Sequence, residues 1–225
     1  MADDELSEAT NCKNAGVEYV ELKVAIDALA VVVSKENTFV DCLTTAELKK
    51  IWEPGAQGKV TNWKQVRDSF PDKPLKLFGP GTDSGTFDYF TDAINGTAKA
   101  SRGDYQASED DNVVVQFVSR DKGALGYFGL AYYEENKDKL KAVPIKATES
   151  APGVLPSLET VNNSTYQPLS RPIFIYVNEK SYQNPAVREF VEFYMRHGSK
   201  LSREVKYVPL PDRAYTLNME HLKRG

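Results

Sequence analysis

The fold is decided by residues 75–94, which read LKLFGPGTDSGTFDYFTDAI. Leu75–Phe78 is a short apolar run, and this pattern predicts a strand. A glycine-rich loop, Gly79–Thr86, follows it, and the spacing of the apolar residues in Phe87–Ile94 predicts a helix. Further strands and helices alternate on both sides of this unit, and such alternation is typical of an α/β protein.

The composition of the loop indicates a site for an oxyanion. Its small residues allow backbone N–H groups to converge on a ligand, and Ser84 and Thr86 add hydroxyl donors. The helix that follows directs its positive end toward the same point. A tight turn capped by a serine or threonine is the alternative for such a stretch, and the residues alone leave both interpretations open.

The loop lacks the motifs of two enzyme classes. No lysine follows its last glycine, as a nucleotide-binding Walker loop requires. Ser84 stands between Asp83 and Gly85, outside the G-x-S-x-G frame of serine hydrolases. The two histidines, His197 and His221, lie near the C-terminus, and no cluster of His, Cys, Asp and Glu has the spacing of metal ligands. We therefore expect neither enzymatic activity nor a cofactor.

Length and composition predict a globular protein of one large or two modest domains. The chain has 225 residues, of which 41% are hydrophobic and 27% charged. A formal net charge of −4 provides no basic field that would attract nucleic acid or an anionic membrane. The first residues, Met1–Glu5, are acidic where a signal peptide would be basic, so this sequence predicts no signal of its own. If the natural protein is exported, its signal is expected upstream of this sequence or to have been removed.

The other predicted elements come from capping and periodicity. Val17–Val33 is rich in β-branched residues and predicts two strands, the second buried on both faces. Thr44 and Glu47 form a capping box that opens a helix. The predicted helices are a helix over 7–10 capped by Asp3 or Asp4 and closed by Gly16, a short helix around Trp63, a helix around Tyr132–Glu135, and a helix at Pro185–His197 with Val187, Phe190, Val191 and Tyr194 on one face. Strands are predicted at Lys141–Ile145 and Arg171–Val177, and a connecting stretch at Ala147–Ser170. The apolar segments Asn112–Val118 and Gly123–Gly129 are further elements whose type this pattern leaves open.

The two cysteines do not form a redox or zinc motif. Cys12 and Cys42 flank the predicted strands and are not in a CxxC arrangement. A structural disulfide between them and two separate thiols are both compatible with the sequence.

Four stretches resemble the phosphate-specific periplasmic binding proteins of the bacterial ABC phosphate importer, the PstS family. They are GPGTDSGTFDYF (79–90), SRGDYQASEDDN (101–112), GALGYFGLAYYEENKDKLKAVPI (123–145) and YQPLSRPIFIYV (166–177). The resemblance covers nearly the whole chain. It implies a two-lobed periplasmic-binding-protein fold of type II, with mixed sheets, that closes on one phosphate. The implied function is extracytoplasmic capture of inorganic phosphate, with the membrane subunits of the importer as partners.

The resemblance also implies site residues. Ser84, Gly85 and Thr86 match the family's loop that grips phosphate oxygens. Many members have an arginine at the start of this loop, where this chain has Pro80. The cation must then come from elsewhere, and Arg102 is the candidate because arginine suits bidentate phosphate contact.

Neighbouring residues have more than one role open to them. Ser101 stands beside Arg102 and is a further possible donor, while an ion pair is the alternative role for Arg102. Asp83 could cap the helix, pair with a cation or accept a proton from hydrogen phosphate. Asp110–Asn112 precede an apolar stretch and are expected to cap a helix rather than contact ligand.

The family's first strand, with its Ser/Thr loop, and the later serine and acidic residue of its first lobe have no counterpart in the sequence. The resemblance therefore implies an incomplete first lobe, residues 1–35 with 170–225, around a second lobe of 36–169. Exposed strand edges would then be covered by a complementary chain, self-association or a longer natural protein, and phosphate affinity would be weak. The alternative function is a non-binding structural or interaction protein that keeps the fold.

Overall fold

The computed structural model describes residues 9–223. The chain divides into two compact units. The first unit contains the described residues 9–27 and 172–223, and the second unit contains Ala28–Arg171. Among the described helices, none combines the length and the apolar character needed to cross a membrane.

The second unit is built on a mixed sheet. Its strands are β1 (Tyr19–Ser34, with Ala28–Ser34 in this unit), β3 (Lys76–Gly79), β4 (Gln106–Ala107), β5 (Ala124–Gly129) and β6 (Leu140–Ala142). They lie in the order β4-β3-β5-β1-β6. β3 is parallel to β4 and β5, whereas β1 is antiparallel to β5 and β6. Two further strands, β2 (Leu43–Thr44) and β7 (Ile145–Lys146), form a separate parallel pair.

Six α-helices accompany the sheets of the second unit. They are α2 (Thr45–Trp52), α3 (Trp63–Val66), α4 (Gly85–Asn95), α5 (Asp111–Arg120), α6 (Leu130–Glu135) and α7 (Leu158–Asn162), with a short 3-10 helix at Pro54–Ala56. The predicted capping box of α2 is confirmed. The Glu47 N–H donates to Thr44 Oγ1 at 3.1 Å, and the Thr44 N–H donates to Glu47 Oε2 at 2.9 Å.

The core of the second unit is apolar and aromatic. The run Ala28–Val33 of β1 is at most 4% exposed, which confirms the predicted strand buried on both faces. The largest fully buried side chains around it include Trp52, Trp63, Tyr127 and Tyr166. Burial of side chains of this size removes much apolar surface from water and is the main stabilising contribution to the unit.

The first unit combines a small sheet with helices. β1 pairs with β8 (Ser170–Asn178, with Pro172–Asn178 in this unit), and Ala25–Ile26 of β1 pair with β9 (Val208–Pro209). The helices are α1 (described over 9–14), α8 (Glu179–Tyr182), α9 (Pro185–Glu204) and α10 (Asp212–Leu222). Gly198 of α9 lies directly against α10, because a Cβ at this position would stand 2.4 Å from Tyr215 Cε1. The Tyr215 hydroxyl in turn donates to Val24 O at 2.7 Å.

Several predicted elements differ from the structure. Val17–Val33 contains one continuous strand rather than two, because pairing with β9 at Ala25–Ile26 and with β5 at Leu29–Val33 keeps the backbone extended throughout. The predicted connecting stretch 147–170 contains α7. On α9 the predicted apolar face is wrong in part, since Phe190 is 63% exposed. The buried residues of α9 are Val191, Met195, Gly198 and Ser202.

Near the N-terminus, the predicted helix 7–10 lies partly outside the described residues. Residues 9–14 are helical, and Gly16 follows them with a φ of +63°, which suits the glycine predicted to close this helix. Cys12 and Cys42 are both free thiols, so the structure does not contain the disulfide.

Candidate functional site

The glycine-rich loop joins β3 to α4 and leaves backbone N–H groups free at the start of the helix. Ser84 is the N-cap, and its Oγ accepts from the Thr86 N–H at 3.2 Å. The Ser84 N–H donates to Gly81 O at 3.2 Å and closes a turn just before the helix. The first bond along the helix runs from the Asp88 N–H to Ser84 O. The N–H groups of Gly85 and Phe87 therefore have no acceptor within the helix.

Three of the four residues at this helix start reach the surface, whereas Phe87 is buried. Gly85 is exposed, and Ser84 and Thr86 are half-buried. Within residues 9–223 the Thr86 hydroxyl has no hydrogen-bond partner. Backbone N–H groups and two hydroxyls thus meet at the positive end of an 11-residue helix, an arrangement suited to the oxygens of an anion.

The structure brings together three of the residues predicted to bind the ligand, while the other predicted residues have different positions or partners. Ser84, Gly85 and Thr86 form the helix start. Asp83 precedes them as an exposed residue of the turn, and the cap of α4 is Ser84 rather than Asp83. Ser101 has another partner, because its Oγ donates to Trp52 O at 3.2 Å.

Arg102 is tied to the protein through nearly all of its donors. Its side chain is 3% exposed. Nε and Nη2 donate to the two carboxylate oxygens of Asp104 at 2.5 and 2.8 Å, and Nη1 donates to Ile51 O at 3.0 Å and to Val60 O at 2.9 Å. Four of the five N–H groups of a guanidinium are thus occupied. The same guanidinium lowers the pKa of Asp104 to about 2. This geometry favours the ion-pair role of Arg102 over phosphate contact.

A segment that the sequence did not indicate as part of the site lies along the loop. The Tyr105 hydroxyl donates to Pro80 O at 2.8 Å, and the Ser108 N–H donates to Gly79 O at 3.0 Å. The Glu109 carboxylate packs directly on Gly81, where an added Cβ would stand 1.8 Å from Oε1. The available signal was the similarity of the run 101–112 to the same family that the loop resembles.

Acidic residues follow this segment at the start of α5. Asp110 is the N-cap, and its Oδ1 accepts from the Asn112 N–H at 2.9 Å, which confirms the predicted capping role. Burial, together with the negative charges of Asp110 and Glu109, raises the pKa of Asp111 to about 6. Asp111 therefore titrates close to neutral pH.

We expect Asp111→Asn to stabilise the protein at pH 7.5. The folded pKa of about 6 lies above the unfolded value of roughly 3.9. Ionised Asp111 therefore opposes folding, and this penalty is relieved as the pH falls through 6 toward 4. Asparagine resembles the protonated form and should raise the free energy of unfolding by about 1 kcal/mol at pH 7.5, a figure reduced for partial exposure.

Urea unfolding of both proteins at pH 7.5 and pH 4.5 measures this effect. The difference between variant and wild type should shrink at the lower pH. An equal difference at both pH values would show that the carboxylate charge is not the cause.

The described residues offer no metal centre. In residues 9–223 no group of three or more His, Cys, Asp or Glu side chains is arranged to hold a metal ion.

Comparison with known proteins identifies the family. Residues 1–197 match the PBP superfamily domain. The chain belongs to this superfamily. Protein SphX of Synechococcus elongatus is 54% identical over 209 residues, which are 93% of this chain and 61% of that protein. The phosphate-binding protein PstS of Staphylococcus haemolyticus is 37% identical over 220 residues, 96% of this chain and 66% of the relative.

A solved structure supports the same assignment. A possible phosphate binding protein from Planctomyces limnophilus superposes with a TM-score of 0.90 at 48% identity, over 97% of this chain and 76% of that one. The resemblance to phosphate-binding proteins and the α/β periplasmic-binding-protein fold with mixed sheets are confirmed. This chain spans 61% and 66% of the length of the two curated PBP relatives above.

Proposed function

We propose that the chain captures inorganic phosphate for an ABC-type importer and acts outside the cytoplasm. The observation that carries this proposal is the start of α4, where the N–H groups of Gly85 and Phe87 and the hydroxyls of Ser84 and Thr86 can all donate. Phosphate presents several acceptor oxygens to such a set of donors. The names of the relatives from Staphylococcus haemolyticus and Planctomyces limnophilus point to the same ligand.

The neighbouring carboxylates favour hydrogen phosphate over sulfate. Asp83 precedes the cap of α4, and Glu109 lies against Gly81 of the loop. A carboxylate can accept the proton of hydrogen phosphate, whereas it repels the fully ionised sulfate. The proposed site therefore distinguishes two anions of similar size through their protonation.

The proposed role is binding without chemical change. Hydrolysis of a phosphate ester would require a nucleophile activated by a base, or a metal ion. Both histidines, His197 and His221, are exposed, and residues 9–223 provide no metal cluster. The membrane subunits of the importer are the proposed recipients of the phosphate, as expected for the family.

We further propose that the chain forms the two lobes expected from the sequence, residues 1–35 with 170–225 and residues 36–169. The two compact units follow these bounds except that residues 28–35 and 170–171 belong to the second unit. Among the described strands, β8 pairs only with β1 and so has a free edge. Ile173–Ile175 of β8 are half-buried, while Phe190, Phe193 and Leu217 are 63%, 47% and 51% exposed. An apolar strand edge of this kind favours pairing with further polypeptide. The proposed cover is a complementary chain or a second copy.

Light scattering coupled to size exclusion distinguishes these two sources. A dimer whose formation is abolished by Ile175→Lys would indicate a second copy. A monomer that binds a hydrophobic dye would indicate that a complementary chain is the cover, provided that adding such a chain abolishes the dye binding. A monomer without dye binding would contradict both. The exposed apolar surface also favours the alternative function, an interaction protein that does not bind phosphate.

Tryptophan fluorescence tests phosphate capture. Trp52 is fully buried, and its ring lies 5.7 Å from that of Phe90 in α4, so it should respond to a ligand at the start of this helix. Addition of phosphate should change the emission in a saturable manner, whereas sulfate at the same ionic strength should not. Equal responses to the two anions, or no response to phosphate up to tens of millimolar, would contradict the proposal.

A further inference from the structure

We propose that residues 101–109, here named the strap, hold the glycine-rich loop Gly79–Thr86 in its binding conformation, with Tyr105 as the positioning residue. The strap makes successive contacts with Gly79, Pro80 and Gly81 through Ser108, Tyr105 and Glu109. The effect on phosphate affinity rests on the proposed function, while the effect on the loop itself does not.

One end of the strap is fixed to a different part of the second unit. The buried Arg102 side chain binds the carbonyl oxygens of Ile51 and Val60, and the Arg102 N–H donates to Trp52 O at 3.1 Å. Asp104 completes this anchor, because its carboxylate pairs with Arg102 and accepts from the Gly58 N–H at 2.9 Å. The strap is thus held by the end of α2 and the chain that follows it.

Tyr105 contacts both ends of the loop. Its hydroxyl donates to Pro80 O at the beginning of the loop. Its ring lies nearly parallel to that of Phe87 in the first turn of α4, with centroids 6.5 Å apart. The same ring packs edge-on against Trp52 at 5.4 Å. Tyr105 therefore connects the anchored strap to Pro80 at the beginning of the loop and to Phe87 just after its end.

The need for such a contact follows from the sequence of the loop. Gly81 and Gly85 leave the backbone with many accessible conformations, and their ordering opposes ligand binding if it occurs only on binding. A loop fixed beforehand avoids this loss of entropy, which raises affinity without any new contact to the ligand. Tyr105 need not touch phosphate to have this effect.

Tyr105→Phe tests the proposal with a minimal change, because the ring and its packing remain and only the bond to Pro80 O is lost. Tyr127→Phe is the matched control. Tyr127 belongs to the same aromatic cluster, with its ring 4.9 Å from Trp52, but its buried hydroxyl has no partner within the described chain. Loss of an unpaired hydroxyl should leave the loop unchanged.

Amide hydrogen exchange of the phosphate-free protein gives the first readout. The Ser84 N–H, which closes the turn with Gly81 O, should exchange about three- to tenfold faster in Tyr105→Phe, as expected for loss of one neutral hydrogen bond. Amides later in α4 and in β5 should keep their rates. Tyr127→Phe should match wild type throughout.

Phosphate titration gives the second readout. Affinity should fall by a similar factor of about three to ten in Tyr105→Phe and stay unchanged in Tyr127→Phe. An unchanged Ser84 rate, or faster exchange across the whole second unit, would overturn the proposal, and so would a loosened loop with undiminished affinity. If wild type does not bind phosphate at all, the proposed function fails, and the exchange rates alone decide whether the strap holds the loop.

Discussion

Replacing Arg102 with methionine should lower the free energy of unfolding by about 3 kcal/mol, the range seen when one partner of a buried ion pair is removed. Methionine fills a similar volume but donates no hydrogen bond. Asp104 then loses its cation, and the carbonyl groups of Ile51 and Val60 lose the Nη1 donor. A partially exposed Asp104, at 33%, limits the loss by allowing water to reach the carboxylate.

Guanidinium unfolding followed by circular dichroism measures this change. Asp104→Asn is the companion variant: it leaves the Arg102 guanidinium, whose side chain is 3% exposed, without its counter-charge, so it should also lower the free energy of unfolding by about 3 kcal/mol. A change below about 0.5 kcal/mol in Arg102→Met, typical of a surface position, would mean that the anchor is not formed. If Arg102 instead contacted phosphate directly, its removal would weaken phosphate binding and leave the stability of the free protein nearly unchanged.

Thr86→Val should weaken phosphate binding about tenfold or more, because a hydrogen bond to a charged group is worth roughly 1.5–3 kcal/mol. The hydroxyl of Thr86 has no partner in the described part of the chain, so valine keeps the shape of the side chain without removing a bond from the free protein. The melting temperature should therefore change little while the affinity falls. Calorimetric or fluorescence titration provides the affinity.

Thr82→Val supplies the matched control for this prediction. Thr82 lies in the same loop and is exposed, but it precedes the cap of α4 and is not among the proposed donors. It should bind phosphate as wild type does. Equal losses in the two variants would indicate a general effect of valine in the loop, and no loss in Thr86→Val would remove its hydroxyl from the site.

Local sequence patterns were sufficient for most elements of the fold. The capping box of Thr44 and Glu47 predicted the start of α2 because both of its hydrogen bonds join residues three positions apart. The apolar run Ala28–Val33 predicted a strand buried on both faces because its side chains are apolar at consecutive positions, which point to opposite faces of a sheet. Whether Val17–Val33 formed one strand or two depended on its pairing partners, which lie far away in the sequence.

In the candidate site, too, the sequence predicted what adjacent residues do but not the contacts between distant residues. Ser84, Gly85 and Thr86 are adjacent, so the sequence could predict that their donors meet at the start of one helix. For Arg102 the sequence left phosphate contact and an ion pair open. The ion-pair partner Asp104 is local, but the carbonyl partners that hold the guanidinium inside the protein lie 51 and 42 residues away and have no local signal. The contact of Tyr105 with Pro80 spans 25 residues and likewise has no local signal.

Binding of phosphate at the start of α4 can be measured directly by a phosphate titration of the ¹⁵N-labelled chain, with amide chemical shifts followed residue by residue. We expect saturable shifts that are largest for the amides of Gly85, Thr86 and Phe87, with sulfate producing much smaller changes at the same ionic strength. Shifts centred elsewhere in the chain, or no saturable shift of these three amides, would contradict binding at this helix start.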